Sequence, residues 1–79
     1  MLIDIVNVRP HPDFRLDLEF ENGERRVFDM RPLLVLRPWN RISNLHIFQR
    51  VRVDYGTLVW PGGIDIAPET LYDESIPSE

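Results

Sequence analysis

The sequence predicts an α+β domain built on a small antiparallel sheet of five to six strands, in the order β-β-β-α-α-β-β-β-α, with short helices on one side. Three observations carry that expectation. The stretch FRLDLEF alternates apolar and charged residues without a break. Asn22-Gly23 follows it at once, a pair suited to a tight hairpin. The apolar runs after Arg50 are short and separated by glycine-containing turns.

The first run, LIDIVNV, places Ile3, Ile5 and Val8 as the apolar side of a strand that ends at Arg9-Pro10. In the second, Phe14, Leu16, Leu18 and Phe20 point one way and Arg15, Asp17 and Glu19 the other, as a half-buried strand requires. A two-residue Asn22-Gly23 loop sets Leu18 opposite Val27 on the core face and Glu19 opposite Arg26 on the other. That opposite-charge pair is worth roughly 0.2–1 kcal/mol. The return strand runs from Glu24 to Phe28. Asp29 stands where it gives way to a short helix through Leu33-Leu34, so its carboxylate is expected to cap free backbone N–H groups. Pro38-Trp39 interrupts, after which Ser43 is placed to cap a second short helix, Asn44 to Arg50, with Leu45 and Phe48 on one face. Strands follow at Val51–Asp54 and Thr57–Trp60 around a Tyr55-Gly56 turn, then at Ile64–Ile66 after Pro61-Gly62-Gly63. Pro68 is a favourable first residue for a closing helical turn carrying Leu71 and Tyr72.

Seventy-nine residues suit one domain, 1–75, with residues 76–79 expected to fray. A single core of this size supplies only ~3–5 kcal/mol. The absence of cysteine removes disulfides, thiolate metal sites and cysteine nucleophiles. The start MLIDIVNVRP lacks the basic region of a leader, and no apolar run approaches ~20 residues, so the expectation is a cytoplasmic protein with no membrane partner.

The net charge of −4 is unevenly spread. All nine basic residues are arginine and seven lie between Arg25 and Arg52, where Asp29 is the only acid. That segment is +6, residues 1–24 are −4 and residues 53–79 are −6. A small sheet brings distant segments together, so the acidic ends are expected to fold against the basic middle and pair with it. Otherwise the arginines face a nucleic acid or an acidic partner, whose phosphates or carboxylates fit the guanidinium fork.

No residue set demands a particular reaction. His11-Pro12-Asp13 matches the tripeptide by which J-domain cochaperones engage their partner, but here it lies between two strands instead of between long helices. A proline at the second position of a type I turn accounts for it. His11 and His46 are thirty-five residues apart, without a ligand at metal-binding spacing, so no metal or other cofactor is expected. Ser43, Ser75 and Ser78 lie at a helix cap and in the tail, with no G-x-S-x-G elbow. Carboxylates abound, yet nothing in the spacing selects a pair such as Asp54 and Asp65 as acid and base. The expectation is that the protein is not an enzyme.

Pro61-Gly62-Gly63 lacks both the Lys-Ser/Thr of a phosphate loop and the three-glycine dinucleotide spacing, and is read as a turn. A two-residue Gly62-Gly63 loop sets Trp60 opposite Asp65 and Val59 opposite Ile66. The indole N–H can then donate to the Asp65 carboxylate, or Asp65 can reach the free N–H groups at the start of the Pro68 helix; the second arrangement is the expected one.

The order Phe20-Glu21-Asn22-Gly23-Glu24, Asp29 before Leu33-Leu34, Phe48 with Val51 and Val53, then Val59-Trp60, Gly63-Ile64-Asp65-Ile66-Ala67-Pro68-Glu69 and Leu71-Tyr72 resembles the bacterial domain-of-unknown-function family 2442 (DUF2442) over nearly the whole chain. The closing pattern is the most specific part of the likeness; the F-x-x-G part occurs in many hairpins. Where the family has an Asn-Gly-type turn after the tryptophan, this chain has Pro-Gly-Gly. The resemblance implies a small α+β domain, found alone or joined to a helix-turn-helix domain. It also implies one half of a gene pair with another small protein, hence an antitoxin-like or adaptor role. It brings no catalytic residues.

These readings lead to a non-catalytic module for a small protein partner, self-associating through an exposed strand edge by β-augmentation. Arg37, Trp39 and Arg41 are the expected contact patch, because Trp and Arg dominate interface hot spots and this segment is too irregular for core. The competing reading of Trp39 is a lid on the core. The competing function is nucleic-acid binding or regulation through the arginine-rich middle, with Trp39 stacking on a base. Against it stand a pI near 5.0, the absence of lysine and the absence of a helix-turn-helix or RNA-binding motif. Gly23, Asp29, Trp60, Gly63, Asp65 and Pro68 are assigned structural roles.

Overall fold

The computed structural model describes residues 3–78, so Leu2 of the first apolar run and Glu79 of the expected tail lie outside the described residues. Strands β1 (Ile5–Pro10), β2 (Arg15–Phe20), β3 (Arg25–Asp29) and β7 (Ile76–Pro77) form one antiparallel sheet in the order β1-β2-β3-β7. Strands β4 (Arg52–Asp54), β5 (Thr57–Trp60) and β6 (Ile64–Ile66) form a second in chain order. A 3-10 turn at Trp39–Ile42 and helix α1 (Leu45–Phe48) lie between β3 and β4, and helix α2 (Pro68–Asp73) precedes β7. The class is α+β, but two small sheets replace the single sheet of five to six strands. The reason lies in the helices: four and six residues of α-helix are too little to cover the apolar face of a wide sheet. The sheets cover each other instead, and the buried side chains of both join Ile42, Phe48 and Leu71 in one cluster. The Ile5 N–H donates to the Gly56 carbonyl at 2.8 Å where β1 meets the β4–β5 turn.

Parity explains β1. Its apolar set Ile3, Ile5 and Val8 departs from a period of two by one residue, and a bulge absorbs the difference. Pairing steps from Ile5 with Phe20 to Asn7 with Glu19, which leaves Val6 exposed and returns Val8 to the face of Leu18. In β2 the alternation buries Leu16, Leu18 and Phe20 as expected. Phe14 precedes that strand at φ 68° and is half-buried.

Two hairpins depart from the expected register. The β2–β3 loop has three residues, 21–23, closed by Gly23 N–H to the Phe20 carbonyl and Phe20 N–H to the Glu24 carbonyl, both at 2.9 Å. A type I′ loop needs two positive φ angles, and here only Gly23 adopts one, 87°. Asn22 instead accepts the Glu24 N–H on Oδ1 at 3.0 Å, the local bond that this side chain favours in a turn. Leu18 therefore faces Arg26, Glu19 faces Arg25 and Leu16 faces Phe28. The slip turns Val27 to the outer face and buries the larger Phe28. The β5–β6 loop is likewise Pro61-Gly62-Gly63, with φ 92° and 75° at the glycines, so Trp60 faces Ile64 and Val59 faces Asp65. Trp60, Leu58, Ile64 and Ile66 then share the buried face and Asp65 stays in solvent. Tyr55-Gly56 forms the expected turn, with both φ angles positive.

The helices also differ. No helix runs through Leu33-Leu34; their N–H groups both donate to the Met30 carbonyl, at 3.0 and 3.2 Å, in a series of turns. Five residues between Pro32 and Pro38 cannot repay helix nucleation, and proline disfavours a helical residue before it. Asp29 keeps its capping role toward that turn by accepting the Arg31 N–H at 3.0 Å. The cap of α1 is Asn44, which accepts the His46 N–H at 2.9 Å, while Ser43 donates to the Asn40 carbonyl. Pro68 does open α2, behind Ala67 with no side-chain cap, so Asp65 is not its cap. The run after Ser75, expected to fray, is paired: Pro77 lies opposite Arg26, Ile76 opposite Val27, and Ser78 N–H donates to the Arg25 carbonyl at 2.8 Å.

At the centre, the buried Trp60 donates its indole N–H to the Phe48 carbonyl at 3.0 Å and not to Asp65. Phe48 stacks on Trp60 at 6.1 Å between ring centroids and meets Phe14 at 5.0 Å.

Gly56 and Gly63 separate two costs. Both are left-handed, but a Cβ at Gly63 meets open space, whereas one at Gly56 collides with the Asp4 side chain. Gly63→Ala is expected to lower stability by roughly 1–2 kcal/mol, and Gly56→Ala by more. Urea unfolding of the two variants checks this; equal losses would mean that Asp4 moves aside freely.

Candidate functional site

Four apolar residues run in succession between Pro32 and Pro38. Leu33 and Leu34 pack against the core, while Val35 is 80% and Leu36 51% exposed. Successive turns, unlike a helix, give such a run no single buried stripe. The surroundings are basic, with Arg31, Arg37 and Arg41 exposed. Arg31 is held by Asp29 through Nε at 2.9 Å and a terminal nitrogen at 2.8 Å. The Arg31 guanidinium holds the Asp29 carboxyl below the usual carboxylate range, and Asp29 in turn raises Arg31. The Arg37–Pro38 peptide is cis.

Trp39 opens the 3-10 turn half-buried against the core, and its indole N–H donates to the Asp65 carbonyl at 3.1 Å. It is thus partly the lid and partly a surface group. Arg41 lies alongside the β5–β6 turn, one guanidinium nitrogen 3.8 Å from where a Cβ on Gly62 would stand. Trp39, Arg41 and the turn that carries Gly63 and Asp65 therefore converge, and Asp65 contributes its backbone.

One ion pair, Arg26–Glu24, joins an acidic end to the basic middle, and it lies between close neighbours at their boundary. Among the described residues the ion pairs are His11–Asp17 at 2.8 Å, Arg15–Asp13 at 2.7 Å, Arg26–Glu24 at 3.3 Å and Arg31–Asp29 at 2.8 Å. Three of these join residues two apart on one strand or turn, and none uses an acid of residues 53–78. Arg25, Arg37, Arg41, Arg50 and Arg52 are exposed and outside these pairs. The register slip contributes, because it moves Arg26 from the outer face to the core side of β3.

That displaced arginine builds a second feature, which sequence reasoning missed. Arg26 donates through Nε to Ser75 Oγ at 2.6 Å and through a terminal nitrogen to the Ser75 carbonyl at 2.9 Å, with its guanidinium 4.6 Å above the Tyr72 ring. Tyr72 meets Phe20 edge-on at 5.1 Å and donates its hydroxyl to Glu24. That hydroxyl, followed by the Asn22 amide, holds the Glu24 carboxyl below its usual range, and Glu24 raises the Tyr72 hydroxyl. The partners are 48 or 49 residues apart, so no local pattern announces them. Beside them, Ile3, Pro68, Glu69, Tyr72 and Asp73 line a recess of about 260 Å³.

Other expected features have simple places. His11-Pro12-Asp13 is a turn, with Phe14 N–H donating to the His11 carbonyl at 3.1 Å and Asp13 accepting from Arg15 Nε at 2.7 Å. Asp54 faces Thr57 and Asp65 faces Val59, so these carboxylates stand on different rows with β5 between them. Among the described residues no three metal-ligating side chains come together, and no helix is long and apolar enough to cross a membrane.

A family model described as protein of unknown function (DUF2442) matches residues 5–77. Comparison with curated proteins and with solved structures gives no match.

The Glu24–Tyr72 bond sets the sign of a pH dependence. Glu24 is lowered in the folded state, so its contribution is complete above the ordinary carboxylate range and is lost as pH falls through the folded value. Tyr72 is raised, so its contribution is complete below the ordinary phenol range and is lost as pH rises through the folded value. Tyr72→Phe is expected to flatten both limbs of the urea-midpoint curve against pH. Asp13 and Asp29, both lowered by neighbouring arginines, keep part of the acid limb. An unchanged alkaline limb in Tyr72→Phe would show that the hydroxyl is not held by Glu24.

Proposed function

Because the chain belongs to the DUF2442 family of proteins of unknown function, we propose its role from its own surface: a non-catalytic cytoplasmic module that grips a small protein partner through loop 31–42, as an antitoxin-like or adaptor half of a gene pair. The observation that carries this reading is the exposed Val35-Leu36 tip beside Arg37, Arg41 and the half-buried Trp39. An apolar anchor among arginines suits a partner with a hydrophobic recess and an acidic rim. Burial of the anchor supplies affinity, and the charges steer and orient the approach. Trp39 is already fixed by the Asp65 carbonyl, so its open side needs little further ordering on contact. The gene-pair arrangement implied by the family resemblance agrees with a dedicated small partner.

The exposed arginines outside the ion pairs favour a second reading, nucleic-acid binding through the same segment. Affinity capture from the native cell, with proteins and nucleic acids both identified, separates the two. A protein partner is expected, with at least a tenfold loss on Arg37→Glu combined with Arg41→Glu, and a comparable loss on Leu36→Ser. Capture of nucleic acid that collapses between low and moderate salt supports the second reading. Capture of a protein unchanged by all three substitutions removes the loop as the contact.

A further inference from the structure

We propose that the chain binds a second copy of itself, with the Val35-Leu36 tip of one protomer entering the recess beside α2 of the other. This rests on the reading of loop 31–42 as an interaction element and names one occupant for it. The two surfaces are alike in carrying accessible apolar groups. Val35 and Leu36 are exposed, and Ile3, Pro68 and Tyr72 are among the residues lining a recess of about 260 Å³, larger than one leucine side chain.

They also complement each other in charge. Arg37 directly follows the tip and Arg41 lies in the 3-10 turn after it, and Glu69 and Asp73 lie at the recess. Among the described residues no ion pair within the fold uses any of these four. Among the described residues a basic, apolar tip and an acidic recess with apolar lining thus lack an ion-pair partner within the fold, and each is matched in charge by the other on a second copy. Opposite potentials of this kind raise the encounter rate, and apolar contact then holds the pair.

Both surfaces are fixed in advance. Leu33, Leu34 and Trp39 anchor the loop to the core, and Glu24 and Arg26 hold Tyr72. Little conformational freedom is left to lose on contact. The sheet edges offer less: β4 and β6 have three residues and β7 two, and the six-residue edge β1 is bulged between Ile5 and Asn7, ends in proline, and has its Ile5 and Val8 N–H groups taken by the Gly56 carbonyl and by Asn7 Oδ1. If the rotation between copies closes, two reciprocal contacts make a dimer; if it does not, the same contact repeats into a chain.

Sedimentation velocity of the full chain across concentration and sodium chloride tests this. The wild type is expected to associate with concentration and to dissociate as salt rises. Arg37→Glu with Arg41→Glu, and separately Glu69→Arg with Asp73→Arg, are each expected to sediment as monomers. An equimolar mixture of the two double variants is expected to regain association, because every loop then meets a recess of opposite charge. All four positions are exposed, and circular dichroism verifies that each variant is folded. A monomeric wild type at low salt overturns the inference, as does wild-type association in either double variant or no recovery on mixing. The outcome is separable from that of the proposed function: Glu69→Arg with Asp73→Arg should still capture a different protein partner through its loop. A wild-type monomer that captures such a partner overturns self-association alone.

Discussion

A buried indole joins the parts of this molecule. Trp60 donates to the carbonyl of Phe48, the last residue of α1, while the Phe48 ring stacks on it. A four-residue helix cannot persist by its own hydrogen bonds, and apart from the indole its last carbonyl accepts the Val51 N–H at 3.3 Å, a longer bond. The bond therefore ties a marginal helix to a three-stranded sheet that is itself too small to hide its face. With Phe14 also against Phe48, the same rings reach the β1–β2 turn. Neither sheet is a finished object; the aromatic seam lets each serve as the other's cover.

Much of this could be read along the chain. The alternation of Leu16, Leu18 and Phe20, the bounds of β5 and β6 and the proline that opens α2 all follow from patterns within a few residues. What the sequence hid turned on single atoms or distant partners. Whether Asn22 adopts a positive φ or bonds the Glu24 N–H decides the length of a loop, and one residue of length decides whether Val27 or Phe28 is buried. The same parity separates Trp60 from Asp65. Strand β7 is two residues long and includes a proline, so it has no period to recognise, and the arginine that secures the chain just before it lies 49 residues away.

The candidate surface was legible in its polar members and not in its apolar ones. Arg37, Trp39 and Arg41 stand out by residue type, whereas Val35 and Leu36 are concealed by the expectation of a helix that would have sorted leucines inward. Two prolines forbid that helix, and the four apolar residues divide between core and solvent. Charge misled in the opposite sense. Segment totals suggested pairing between the ends and the middle, but three of the pairs that form are between close neighbours. Pairs so close along the chain remain near each other when it unfolds, so each adds less to the difference between the two states than a long-range pair would.

The first two hairpins have the same loop geometry. His11 N–H donates to the Arg15 carbonyl and Phe14 N–H to the His11 carbonyl, just as Phe20, Gly23 and Glu24 do one hairpin later. The left-handed position is glycine in one and Phe14 in the other. Gly23 takes that conformation unaided, so the β2–β3 hairpin can close from local bonds alone. Phe14 is offset by distant contacts, its carbonyl accepting the Met30 N–H and its ring meeting Phe48, which follows loop 31–42 in the chain. Two loops of one geometry are thus held differently: the second by local bonds around a glycine, the first also by a contact with α1 that lies far off in the chain.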